Sequence, residues 1–236
     1  VPDINDFTKG MKAALKPSGT ITLEFPHLLE LIKHNQFDTV YHEHFSYLSL
    51  QAVSRIFAAA GLRIFDVETI PTHGGSLRIY GCHDHDERQT AKAVSDMMVN
   101  EKESGLQNIE TYLGFQVKAD KVKSDFIAFL QKEKQQGRKI AGYGAAAKGN
   151  TLMNYAGIKT DLIDFVCDAA PSKQGKYLPG SHIPVLPPAA IDAQKPDTIV
   201  IFPWNIADEV KTQLAHTKAW NAKFVTAVPE LKVENA

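Results

Sequence analysis

The chain has 236 residues, of which 44% are apolar, and this is enough for a buried core in one large or two small domains. Its formal net charge of -1 gives no indication of a surface for nucleic acid or for acidic lipids. Neither a membrane-spanning apolar run nor a signal segment is visible, so we expect a cytoplasmic protein. Cys82 and Cys167 lie in apolar strand-like runs, which favours reduced core thiols over disulfides or zinc ligands.

Residues 1–86 alternate between predicted helices and predicted strands. The expected helices cover about residues 6–15, 27–34 and 50–60, and the expected strands cover residues 20–25, 62–70 and 76–82. Asn5 or Asp6 is expected to cap the first helix, and Ser49 is expected to cap the third. Residues 71–75 are long enough for an antiparallel return between the last two strands.

Residues 87–137 form a predicted helical connector. Charged side chains are typical of solvated helix faces here, and little in the segment favours a strand. A spaced apolar stripe predicts one face that packs on neighbouring elements, and it consists of Phe115, Val122, Phe126 and Leu130.

Residues 138–236 again alternate between strands and helices. The expected strands cover residues 139–142, 162–167, 198–202 and 223–226, and the expected helices lie around residues 148–155 and 206–216. Strands that alternate with helices predict a parallel, doubly wound sheet, so we expect the chain to belong to the α/β class.

A glycine turn follows the first strand of this last segment. Gly142, Gly144 and Ala147 fit the G-x-G-x-x-A pattern, in which the first glycine permits the tight turn and the second lets a phosphate approach the backbone. The small Ala147 is expected to allow close packing of helix on strand. Lys148 adds a positive charge and Asn150 adds a donor at a helix N-terminus that already favours anions. Packing alone is the alternative explanation for these glycines.

Three further candidates follow the later strands of the same segment. Asp168 ends the second strand, and Trp204 and Asn205 follow the third. Ligands of open α/β sheets bind at the carboxyl ends of the strands, so these residues are expected near the glycine turn. NAD would place a ribose on Asp168, whereas a sugar nucleotide would place its pyrophosphate on the turn. Loop packing for Trp204 and helix capping for Asn205 are the structural alternatives.

The most reactive stretch is Tyr41-His42-Glu43-His44. Histidine suits proton abstraction near neutral pH, a neighbouring Glu can orient it, and Tyr can stabilise an enolate oxygen. A zinc site is not expected, because the histidines lack the i, i+4 spacing of helical zinc ligands. His73, in the loop with Gly74 and Gly75, is a candidate for substrate contact.

Several motifs occur in the order found in one enzyme family. They are residues 25–27, 41–44, 73–78 and 142–150. With the opening helix, turn and strand, they resemble nucleotide-diphosphate-sugar C-methyltransferases over nearly the whole chain. The resemblance implies that residues 1–86 end a class I methyltransferase domain and that residues 138–236 form a Rossmann-like sugar-nucleotide domain.

The resemblance also implies a reaction. A base removes a proton beside the ketone of a 4-keto sugar linked to a nucleoside diphosphate, with dTDP expected, and the enolate takes a methyl group from S-adenosylmethionine. His44 is the implied base, Tyr41 and Glu43 position it or stabilise the enolate, and His42 completes the cluster. The glycine turn, Lys148 and Asn150 would face the diphosphate.

The chain departs from this family at its start. The family's zinc-module cysteines, donor-binding glycine loop and acidic ribose-binding residue are absent. We therefore expect a piece of a longer enzyme that binds S-adenosylmethionine poorly and can be inactive by itself. An NAD-dependent oxidoreductase and a non-catalytic sugar-nucleotide-binding module remain the alternative functions.

Overall fold

The computed structural model describes residues 1–236, which form two compact units. The first unit contains residues 1–34 and 42–115, and the second contains residues 35–41 and 116–236. Helices and strands occur in both units, which confirms the predicted α/β class.

The first unit packs helices against a small antiparallel sheet. Its strands are β1 (Ile21–Pro26), β2 (Leu62–Ile70) and β3 (Ser76–His83), and its helices are α1 (Ile4–Ala14), α2 (Leu28–Lys33), α3 (Leu50–Ala59), α4 (Lys92–Glu103) and α5 (Ile109–Leu113). The strand order is β1-β3-β2, with both pairs antiparallel. The predicted return through residues 71–75 is therefore confirmed, and a short 3-10 turn, Thr72–Gly74, lies within it.

Polar caps fix where two of these helices begin. Asp3 caps α1, because its carboxylate accepts hydrogen bonds of 2.9 Å from the backbone N–H groups of Asn5 and Asp6. The prediction that Asn5 or Asp6 caps this helix is therefore wrong, since both residues lie inside its first turn. Ser49 caps α3 as predicted, at 3.1 Å from the backbone nitrogen of Ala52.

The second unit contains the longest helix and a larger sheet. Its helices are α6 (Phe115–Gln135), α7 (Ala147–Ala156), α8 (Ala189–Gln194) and α9 (Ala207–Gln213), and its strands are β4 (Ile140–Tyr143), β5 (Phe165–Cys167), β6 (Val185–Leu186), β7 (Thr198–Ile201), β8 (Lys223–Thr226) and β9 (Lys232–Asn235). Three 3-10 turns complete it: Phe37–Thr39, Trp204–Ile206 and Ala215–Trp220.

The sheet of the second unit is doubly wound. Its order is β6-β5-β4-β7-β8-β9, and every neighbouring pair is parallel except β8 with β9. The chain moves outward from β4 to β5 and β6, and then returns to the other side of β4 through β7. The carboxyl ends of β4 and β7 therefore form a topological switch point, where open α/β sheets bind ligands.

Helix α6 carries most of the predicted connector stripe. Val122, Phe126 and Leu130 are buried along one face, as the apolar spacing predicted. The opposite face is charged and exposed, which is the usual pattern of a surface helix. None of the helices is both long enough and apolar enough to cross a membrane.

The two cysteines lie in separate apolar environments. Cys82 on β3 and Cys167 on β5 are both buried and free, which confirms the prediction of unpaired core thiols. Burial raises the pKa of the Cys167 thiol to about 12. A neutral buried thiol is a poor nucleophile, so these residues have a packing role.

Candidate functional site

The glycines of the turn after β4 are required by close packing. A Cβ at Gly142 would lie 2.5 Å from Cε2 of Phe202, and one at Gly144 would lie 2.6 Å from Cδ of Pro203. Gly144 also has a φ of +90°, which strongly favours glycine, and its backbone N–H donates to the Cys167 carbonyl at 2.7 Å. The loop after β7 thus packs directly on the turn. Phosphate binding at Gly142 and Gly144 stays a prediction.

A different small residue allows the close approach of helix to strand. Ala147, which the pattern assigned to this contact, is exposed. Gly149 is buried instead, and a Cβ there would lie 2.6 Å from both Cβ and Cγ of Phe202. The role expected for Ala147 is therefore filled by Gly149, two residues later. The G-x-G-x-x-A pattern predicts the turn, but it does not show which residues of the following helix face the sheet.

Asp168 holds the glycine turn in place. Its Oδ2 accepts from the backbone N–H of Ala145 at 2.7 Å and from Lys173 Nζ at 3.1 Å, and its Oδ1 accepts from the Ala170 N–H at 2.8 Å. Burial alone would raise the pKa of Asp168, but these donors outweigh it and lower the pKa. Both oxygens are thus engaged within the protein. The ligand contact predicted for Asp168 has no direct support in this geometry.

Three predicted site residues meet at the switch point. Lys148, in the first turn of α7, places its Nζ 3.0 Å from Oδ1 of Asn205 and 4.3 Å from the ring centre of Trp204. The second distance is that of a cation–π contact. The structure therefore brings one cation, one amide and one large aromatic ring together at the carboxyl ends of β4 and β7.

Asn150 lies one turn inside the same helix. Its Oδ1 is buried and has no hydrogen-bond partner. No side chain caps the N-terminus of α7, so the backbone N–H groups of its first turn have no side-chain acceptor. The uncapped backbone N–H groups suit the N-terminus of α7 to an anion, whereas the unpaired Oδ1 of Asn150 is an acceptor and suits a hydrogen-bond donor.

The same cluster includes a carboxylate that the sequence did not reveal. Asp38, in the segment 35–41 that belongs to the second unit, accepts a hydrogen bond of 2.7 Å from Nε1 of Trp204. Its side chain is 1% exposed. Asp38 lies within a short polar stretch that follows no strand, and neither a motif nor a periodicity distinguishes it.

Burial shifts the pKa values of Asp38 and Lys148 in opposite directions. It raises the pKa of Asp38 to about 6, against the opposing effects of the Trp204 hydrogen bond and the Lys148 charge. Burial also lowers the pKa of Lys148, and the nearby Asp38 charge partly offsets that effect. Desolvated charges interact more strongly with a ligand than solvated ones, which is typical of binding sites.

The Tyr-His-Glu-His motif spans the junction between the two units of the chain. Tyr41 is the last residue of the segment assigned to the second unit, and His42 to His44 begin the return to the first. His42 and Glu43 are exposed, with 3.9 Å between His42 Nε2 and Glu43 Oε1. His44 is half-buried, and its ring lies edge-on to Tyr47 with 6.3 Å between centroids.

A buried acid–imidazole pair anchors the chain just beyond this motif. Leu48 forms a parallel bridge with His27, and its carbonyl accepts from the Leu28 N–H at 3.0 Å. His27 Nε2 lies 2.8 Å from Oε1 of Glu101, and both side chains are 1% exposed. Glu101 also accepts from the first backbone N–H groups of α3. The segment after the motif is thus tied to three helices of the first unit.

His73 lies in the exposed turn between β2 and β3. Its φ of +56° is unusual for a residue other than glycine. The neighbouring Thr72 donates to Oε1 of Glu24 at 2.9 Å, and substrate contact at His73 stays a prediction.

The sequence also matches a known family. Residues 71–229 fit the model described as the C-methyltransferase C-terminal domain. The chain belongs to this family. It is also 35% identical over 236 residues to the C-methyltransferase NovU of Streptomyces niveus, and the match covers the whole chain and 56% of that relative.

The family model covers the cluster at the switch point but not the Tyr-His-Glu-His motif. The family model contains the glycine turn, Lys148 and Trp204 but begins after Asp38 and His44, which only the match to the relative covers. The strand–glycine turn–helix at Gly142 is the single such unit among residues 1–236, and Asp168 and Phe202 fill its surroundings. The residues of this turn therefore do not fit a site for S-adenosylmethionine.

Proposed function

We propose that this chain is the substrate-binding and proton-abstracting part of an S-adenosylmethionine-dependent C-methyltransferase. Its substrate is a 4-keto deoxysugar linked to a nucleoside diphosphate, with dTDP as the expected nucleotide. One observation carries the proposal: Lys148, Trp204 and Asn205 meet at the switch point of the second sheet. Family membership gives the reaction class.

The cluster matches the chemistry of a nucleoside diphosphate. The ammonium group of Lys148 and the uncapped N-terminus of α7 suit the diphosphate charge. The indole of Trp204 offers a face on which a base can stack, and the exposed Asn205 offers an amide for hydrogen bonds. An NAD-dependent reaction is less well supported, because the carboxylate expected to bind ribose, Asp168, is engaged by the turn itself.

His44 is the proposed base. Its imidazole takes the proton from the carbon beside the sugar ketone, and the electrons of the broken C–H bond form the enolate. Tyr41 donates a hydrogen bond to the enolate oxygen, and Glu43 orients the motif, with His42 beside it. S-adenosylmethionine, when bound by the complete protein, supplies the methyl group.

Proton abstraction can be tested without any methyl donor. The chain is incubated in D2O with a dTDP-linked 4-keto-6-deoxyhexose, and proton NMR follows the signals of the hydrogens on the two carbons that flank the ketone. We expect exchange with solvent, slowed at least about 100-fold in His44→Gln, because a positioned general base contributes roughly that much or more.

The control is His34→Gln, since His34 is an exposed histidine at the end of α2 and outside the motif. It should exchange at the wild-type rate. Wild-type exchange no faster than in buffer, or a His44→Gln rate equal to that of the control, would remove the base from this proposal.

A further inference from the structure

We propose that Asp38 is a positioning residue for nucleotide binding: its carboxylate fixes the indole of Trp204, on whose face Lys148 rests. The inference rests on the proposed function, since it names a residue that prepares the same site. It also assigns a role to the chain immediately before the Tyr-His-Glu-His motif.

The geometry supports a directed contact. Trp204 Nε1 donates to Oδ2 of Asp38 at 2.7 Å, a short distance for a bond between an N–H and a carboxylate. The indole is partly exposed, so its rotation is not fixed by packing alone. A bond at one edge of the ring sets the plane on which both a base and the Lys148 ammonium can lie.

The segment that carries Asp38 is itself held firmly in the second unit. Residues 35–39 are buried, and Phe37 packs on Tyr155 of α7 with 5.4 Å between ring centroids. Asn35 donates through Nδ2 to the Lys118 carbonyl at 3.1 Å. The position of Asp38 is therefore set by its own segment, and the partly exposed Trp204 is the partner that it orients.

A purely stabilising role explains Asp38 poorly. A carboxylate retained for stability would satisfy both oxygens, as Asp168 does, yet Oδ1 of Asp38 is buried without a partner. Burial of this group raises its pKa to about 6, so its ionised form is costly to hold. A residue kept at such a cost is typical of a functional site.

The first test uses fluorescence of the indole itself and needs no ligand. The chain has two tryptophans, and Trp220 donates to the Pro196 carbonyl on the far side of β7 from the switch point, so Trp220→Phe leaves Trp204 as the single reporter. In that background, Asp38→Ala should increase quenching of Trp204 by acrylamide, whereas Asp38→Asn should stay near wild type because it keeps an acceptor oxygen. Equal quenching in all three folded proteins would overturn the inference.

The second test measures binding of dTDP to the same variants by calorimetry. We expect Asp38→Ala to weaken binding about tenfold, the scale of one hydrogen bond to a charged group, and Asp38→Asn to restore most of it. Unchanged binding in Asp38→Ala, or equal losses in both variants, contradicts positioning through the acceptor. If dTDP fails to bind the wild type, the proposed function fails, and the quenching result still decides the role of Asp38.

Discussion

At the scale of single residues, the environment assigns different roles to chemically identical groups. Asp168 and Asp38 are both buried carboxylates of the second unit. Backbone and lysine donors satisfy Asp168 and lower its pKa, whereas burial dominates at Asp38 and raises its pKa. The first therefore stabilises a turn, and the second remains available to organise a binding surface.

Gly149 offers a test of how tightly the turn is packed. Gly149→Ala should destabilise the chain by about 1–3 kcal/mol, because the new methyl group would overlap buried Phe202. Thermal unfolding followed by circular dichroism measures the change. The matched control is Gly10→Ala in α1, where no atom lies within 4 Å and the helix should gain about 0.5–1 kcal/mol. A Gly149→Ala melting temperature at or above wild type contradicts the packing described.

The proximity of three residues could be predicted from the sequence because topology dictates their position, while their role in binding stays a prediction. Lys148, Trp204 and Asn205 each follow a parallel strand, and the carboxyl ends of such strands share one edge of the sheet. Asp38 follows no strand of that sheet, and it belongs to the second unit through the separate segment 35–41. Gly149 was missed for a related reason, since the buried side of a helix depends on tertiary packing.

At the scale of elements, sequence periodicity located the well-buried strands and missed the marginal ones. Leu62–Ile70 and Lys223–Thr226 have the predicted bounds, because apolar and β-branched residues cover their length. β6 has two residues, which is too short for any periodicity. β9 is exposed at all four positions and lies at the sheet edge, so its sequence carries no apolar signal.

Substitution of Glu101 tests how much its buried hydrogen bonds to His27 and to the start of α3 stabilise the first unit. Glu101→Gln should lower stability by about 1–3 kcal/mol at pH 7, because a charged acceptor of His27 and of the α3 N-terminus is lost. Urea unfolding measures this loss. Glu103→Gln on the same helix is the control, since Glu103 is exposed and its substitution should change little.

The stabilisation by Glu101 should depend on pH in a direction that its pKa shift sets. Burial would raise the pKa of Glu101, but hydrogen bonds from His27 and from the backbone of Gln51 and Leu50 outweigh it, and the pKa is lowered. Its contribution is therefore full above the unfolded pKa and is lost as the pH falls through the lower folded value. The difference between wild type and Glu101→Gln should shrink below about pH 4.5. A constant difference down to pH 3 would contradict this account.

At the scale of the whole molecule, the two units are not continuous in sequence, because residues 35–41 belong to the second unit but lie between two segments of the first. The α/β class and the doubly wound sheet could be predicted from alternating strands and helices. The assignment of residues 35–41 to the second unit could not, because it depends on where Phe37 and Asp38 are buried. The chain spans 56% of the length of the C-methyltransferase to which it is similar, and the activity of the complete protein remains a proposal.

Calorimetric titration of dTDP into the wild-type chain and into Lys148→Met tests whether a nucleotide binds at the switch point. Lys159→Met is the control, at an exposed lysine beyond α7. We expect binding by the wild type and by Lys159→Met, and at least a tenfold loss in Lys148→Met, since a desolvated cation is removed from the diphosphate. Equal affinity in all three proteins, or no binding by the wild type, would contradict a nucleotide site at the switch point.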